Sequence, residues 1–309
     1  MTLKLFGCSF TNWIYPTWAD FVKLHYVTDV EIYGRPGPGN QGFKKLLMLH
    51  ADPSDHVIVM LSGNDRLDHG IDIQFVKSKL KYYFDDPQWA NMFVNQDTMF
   101  VPINETSYDF TKHFSLFHAL YTQAENIVDM QNYCRAYSID YNFLSWQELF
   151  SDLSYRKQRA GLGKPVNLKK FLKNPIFNRV YNLIDTNSFL DEFSTGLLNF
   201  VHADRKLFDY QPTWDFHPSC YANFQYFIKY IKPKLDNLYK PIDNLDDLEQ
   251  RALHTAQYYA NTDCTDEPFC APEGDNEFVK QKFYSMREYM IDRFFQPYQE
   301  QLLNGYHYE

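Results

Sequence analysis

The first apolar run of the chain, LKLFG at residues 3–7, is nearly unbroken and stops at Gly7-Cys8-Ser9, which predicts a buried strand delivering a serine at its end. From Trp18 to His25 the period changes to that of a helix, with Trp18, Phe21, Val22 and Leu24 on one face. DVEIYG (29–34) predicts a second strand and FKKLLMLH (43–50) a second helix. DHVIVMLS (55–62) is apolar without alternation, as expected of a parallel strand covered on both faces. Strand and helix alternating at this spacing predict a doubly wound α/β sheet.

The alternation lapses over residues 70–112, where a short helix is expected at QFVKSKLKYYF, followed by a polar and aromatic stretch too long for an ordinary connection. It resumes with Phe117, Leu120, Tyr121, Ala124, Ile127, Val128 and Cys134 at helical spacing, and SIDYNFLSW (138–146) predicts a fourth strand. Residues 150–213 form a second interruption in which no fifth strand can be placed. Phe224, Phe227, Ile228 and Ile231 make a helix face expected to end near Pro233. Two further helical patterns, DDLEQRALHTAQYYA and EFVKQKFYSMREYMIDRFFQPYQEQLL, follow it. The expected organisation is one domain over residues 1–235, carrying both insertions, and a helical extension over 236–309 suited to an oligomer or assembly contact.

Charge and composition narrow the function classes. The net charge is −9 and no dense Lys/Arg block is present, so phosphate neutralisation has no source and nucleic acid is not expected as a partner. No apolar run approaches the roughly 20 residues that span a bilayer, and the start lacks a signal-peptide pattern. A soluble protein made in the cytoplasm, with no membrane partner, is expected. Five cysteines without a CxxC pair argue against a disulfide framework and a zinc site, and neither metal nor cofactor is expected. The 27 Phe and 24 Tyr residues point first to a thick aromatic core, with a minority of rings left to line a groove.

The candidate chemistry sits at the strand ends. Ser9 closes the first strand, Gly34-Arg35-Pro36-Gly37-Pro38-Gly39-Asn40 follows the second, and Ser62-Gly63-Asn64 follows the third. Asp215-Phe216-His217-Pro218 lies just before the helix that would cover the sheet. In an open α/β sheet the loops after neighbouring strands converge on the ligand site. A nucleophile, a base and polar donors are therefore available to one site.

These four segments resemble blocks one, two, three and five of the SGNH (GDSL-type) hydrolases, and more closely the SGNH-like proteins of tailed bacteriophages. The resemblance covers roughly residues 1–68, 115–147 and 205–232. It implies a flavodoxin-like three-layer α/β/α sandwich with a mainly parallel sheet, and metal-free hydrolysis of an acyl ester, often acetyl, on a carbohydrate or small molecule. It also implies Ser9 as nucleophile, His217 as base and Asp215 as the acid orienting it. The oxyanion donors would be Ser9, Gly37 and Asn64, with Gly39 as the shifted alternative to Gly37, and Gly39, Asn40 and Arg66 would neighbour the substrate. Two departures stand out: Ser62 replaces the glycine that opens block three, and Asp215-Phe216-His217 is one residue shorter than the usual Asp-x-x-His. The short spacing leaves a backbone carbonyl or Asp209 as other means of orienting His217. The alternative function is a non-catalytic glycan-binding or phage structural module, located in the host cytoplasm or the virion, where the C-terminal helices would make the contact.

Overall fold

The structure, a computed structural model, describes residues 2–34, 39–63, 66–69, 94–95, 98–102, 116–152, 164–193, 195–210, 217–261 and 276–304. Its centre is a parallel sheet of β1 (Leu3–Gly7), β2 (Val30–Gly34), β3 (His56–Leu61) and β4 (Asp140–Ser145), in the spatial order β2-β1-β3-β4. Leu5 sits opposite Ile32 on one side and Ile58 on the other. Every residue of β1 and β3 is buried, which accounts for their mostly apolar, non-alternating character; the two polar exceptions, Lys4 and His56, are buried with partners, Lys4 pairing with Asp55 at 2.8 Å and His56 bonding Asn142 at 2.9 Å.

Helices cover both faces. α1 (Trp18–His25) shares one layer with α4 (Cys220–Tyr226), while α2 (Asn40–His50) packs on α3 (Leu116–Ala136) in the other. α1 begins with Thr17 as its cap, and Asp20 reaches back to accept the Thr17 amide at 2.8 Å. The chain leaves β1 for β2 on one side and then crosses to β3 on the other. The carboxyl ends of β1 and β3 therefore flank the point where the winding reverses, the place where open α/β sheets bind ligands.

The two interruptions differ in what they build. Around the first, Arg66–His69, Val94–Asn95 and Thr98–Pro102 form a small antiparallel sheet, and the helix expected at 74–84 lies outside the described residues. The second contributes short helices against α3 and one parallel bridge from Phe189 to Phe143, with the Leu190 amide donating to the Phe143 carbonyl at 2.9 Å. Among the described residues that bridge is all that forms of a fifth strand in the central sheet. One step further along β4 the Ser145 amide is taken by the Asp191 carboxylate at 3.2 Å, so a side chain occupies the position of the next ladder bond.

The helix beginning at Cys220 runs past Pro233 to Leu235, two residues beyond the expected break. A wider π turn over Phe227–Ile231 ends two residues before the proline. It loosens the ladder where the ring has no amide to give. Beyond it, α5 (Leu245–Asn261) packs on α4, and α6 (Asn276–Phe295) packs on α5. Phe295 is fully buried and meets Phe21 of α1 at 6.3 Å between ring centroids, so the extension shares the core of the sheet domain.

Candidate active site

The turn after β1 is set by local hydrogen bonds. The Cys8 carbonyl accepts the amides of Thr11 (2.8 Å) and Asn12 (3.3 Å), folding the chain back over the strand end and leaving Ser9 at its apex. Gly7 makes this possible, because a Cβ there would lie 1.9 Å from the Thr11 hydroxyl oxygen. Asn12 ties the turn to the neighbouring strand by donating its side-chain amide to the Gly34 carbonyl at 3.2 Å.

His217 arrives from the far end of the sequence, and the main chain that follows it into α4 is held by hydrogen bonds. Ser219 caps α4 by accepting the Ala222 amide at 3.1 Å. Tyr15 donates its hydroxyl to the Pro218 carbonyl at 3.0 Å, and Asn223 donates its amide to the same oxygen at 3.0 Å. The result brings His217 Nε2 to 2.7 Å from Ser9 Oγ, across 208 residues of chain. This is the distance expected of a nucleophile and its base.

Aromatic rings enclose the pair. Trp13 stacks on the imidazole with ring centroids 3.5 Å apart, Phe10 lies 5.0 Å from it, and Trp146 packs on Phe10 at 4.6 Å. Ser9 and His217 are each only 4 % exposed. Charge separation between them is thus screened by protein rather than water, which strengthens any fixed dipole aimed at the site.

A second buried polar group sits at Ser145, the last residue of β4. Asp191 accepts hydrogen bonds from the Tyr226 hydroxyl (2.6 Å), the Ser145 hydroxyl (3.1 Å) and the Ser145 amide (3.2 Å). Burial pushes its carboxyl up to about 6, with those donors pulling the other way.

The remaining expected residues fall as follows. Asp215, Gly37 and Asn64 lie outside the described residues. Gly39 is the cap of α2, and Arg66 opens a strand, its side chain outside the description. Asn40, expected beside the substrate, is the first residue of α2, and its side chain is bonded within the protein. It accepts the Ser62 amide at 2.7 Å and donates to the Ser62 carbonyl (3.0 Å) and Gln123 Oε1 (2.6 Å). Asn40 therefore grips the end of β3, and Gln123 supports it by donating to the same carbonyl at 3.0 Å. Asp209 is exposed and pairs with Arg205 at 4.0 Å, a solvated position unlike that of the buried imidazole.

Trp13, Gln123 and Asp191 were not singled out from the sequence. Trp13 offered the one available signal, standing four residues after Ser9. Among the described residues no group of three or more His, Cys, Asp or Glu side chains could hold a metal ion, and no helix is long and apolar enough to cross a membrane. No protein-family model matches the chain, and no curated protein matches it.

Proposed function

We propose that this chain is a serine ester hydrolase of SGNH type, acting on an acylated carbohydrate or similar small ester. The observation that carries the reading is the 2.7 Å contact between Ser9 Oγ and His217 Nε2, at the sheet's switch point and between residues 208 apart in sequence. Ser9 attacks the acyl carbon while Nε2 takes its proton, and Nε2 then returns that proton to the leaving alkoxide. Water repeats the cycle on the acyl-enzyme. Asp215 is the residue proposed to hold the imidazole in the tautomer that leaves Nε2 free to accept. Backbone N–H groups of Ser9 and Gly37 and the Asn64 side chain are the proposed oxyanion donors, each worth on the order of 10²–10³ in rate.

The test is ester turnover by the purified protein on acetylated sugars and p-nitrophenyl acetate, beside Ser9→Ala. Turnover that disappears in the variant supports the reading; turnover that survives it removes Ser9 from the chemistry. The near-complete burial of both residues favours a second reading, a binding or structural module that retains the pair without using it. No turnover in either protein selects that reading.

A further inference from the structure

The loop between Ser9 and α1 is anchored by a residue from the far end of the chain. Arg287 of α6 is 1 % exposed; one guanidinium nitrogen donates to the Trp13 carbonyl and the other lies 2.7 Å from Asp20 Oδ1. Asp20 in turn accepts the Thr17 amide through its other oxygen (2.8 Å), and the Thr17 hydroxyl donates to the Thr11 carbonyl at 2.7 Å. Both ends of the segment 11–17 are therefore tied to one buried ion pair. A second C-terminal contact reinforces it: Tyr259 of α5 meets the Tyr15 ring edge-on at 4.9 Å, and Tyr15 holds the loop that carries His217. Trp13, fixed at its main chain by Arg287, presents its ring to the imidazole at 3.5 Å.

We propose that Arg287 is a positioning residue for the Ser9–His217 pair, acting through the Trp13 carbonyl so that the indole holds the imidazole against the serine. This rests on the hydrolase reading for its kinetic consequence but not for its structural one. The planar guanidinium suits the task because its fork serves two fixed acceptors at once, a geometry that a lysine ammonium on its flexible stem does not reproduce. A displacement of about 1 Å in a reacting group can cost about 10²-fold in rate.

Three variants test it: Arg287→Lys, Trp13→Leu, and the double Asp20→Asn/Arg287→Met, which removes both charges so that neither is left buried alone. Each is measured by thermal melt, by ester kinetics, and by near-ultraviolet circular dichroism, taking the Trp13 contribution to the Arg287 variants as the difference from the same background carrying Trp13→Phe. The expected result is a cooperative melt, loss of the Trp13 band in the Arg287→Lys and double variants, and a fall in kcat of about 10²-fold with KM little changed in all three. Full activity in Arg287→Lys would show that only the charge matters, and an unchanged Trp13 band in that variant or in the double variant would show that Arg287 does not place the indole; either overturns the proposal. Should an Arg287 variant fail to fold, Trp13→Leu decides, since it leaves the main-chain anchor intact, and unchanged kcat there also overturns the proposal. If the unaltered protein turns over no ester, the hydrolase reading fails separately, and the dichroism comparison still decides whether Arg287 positions Trp13.

Discussion

Replacing Asp191 with asparagine should change how stability depends on pH, and the size of the change follows from the site. The carboxyl is 5 % exposed, and among the described residues its Oδ1 has no hydrogen-bond partner, so the charged form is costly even though Oδ2 receives three donors. The group's pKa is raised from 3.8 to about 6 in the folded protein, chiefly by burial. A raised folded pKa means that the neutral form is favoured by folding. Its contribution to stability is complete below the unfolded value near 3.8 and is lost as pH climbs through about 6. At 1.36 kcal/mol per pH unit, the gap between those values is worth about 3 kcal/mol, most of it lost between pH 4 and pH 7. Asparagine carries no such proton. Urea unfolding of both proteins at several pH values should therefore show the variant gaining on the native protein by about 2–3 kcal/mol from pH 4 to pH 7, whatever the offset at a single pH. A difference that stays flat, or that moves in favour of aspartate as pH rises, would refute the reasoning and would mean that the three donors hold the carboxylate ionised throughout.

Gly196 has φ +76°, and a Cβ there would lie 2.5 Å from the Gln147 Cα, so Gly196→Ala should cost about 3 kcal/mol by urea unfolding; a loss below about 1 kcal/mol would mean that the segment shifts aside. His217→Ala should abolish ester turnover while leaving the far-ultraviolet dichroism and the melt recognisably native, and retained turnover would remove the base assignment. Asp215→Asn should lower kcat on the order of 10⁴-fold if that carboxylate sets the imidazole tautomer, whereas a loss of less than about tenfold would mean that another group does so.

The sheet was legible because its strands are short and covered on both faces, which leaves non-alternating, mostly apolar runs at residues 3–7 and 56–61, interrupted only by Lys4 and His56. The serine and histidine were legible as chain positions, one at a strand end and one ahead of a covering helix. Their contact was not, because it depends on the Tyr15 hydrogen bond to Pro218, which links residues 203 apart in sequence, and on the local Asn223 bond that fixes the same carbonyl. Asn40 illustrates a different gap: a polar residue after a glycine-rich turn suits a substrate neighbour and a strand clamp equally, and the clamp becomes visible only from the positions of Ser62 and Gln123. Trp13 and Arg287 were hidden by composition. In a chain this rich in aromatic residues a single tryptophan reads as core, and an arginine in a charged helix reads as surface until its buried partner is known.

The account's central claim is that Ser9 is a nucleophile activated by His217, and the most direct test is labelling with an active-site-directed fluorophosphonate followed by peptide mass spectrometry. The expected result is a single adduct on Ser9 that forms in the native protein and is absent from both Ser9→Ala and His217→Ala. An adduct on a different serine, labelling of Ser9 that persists without His217, or ester hydrolysis by a protein that takes no label would contradict it.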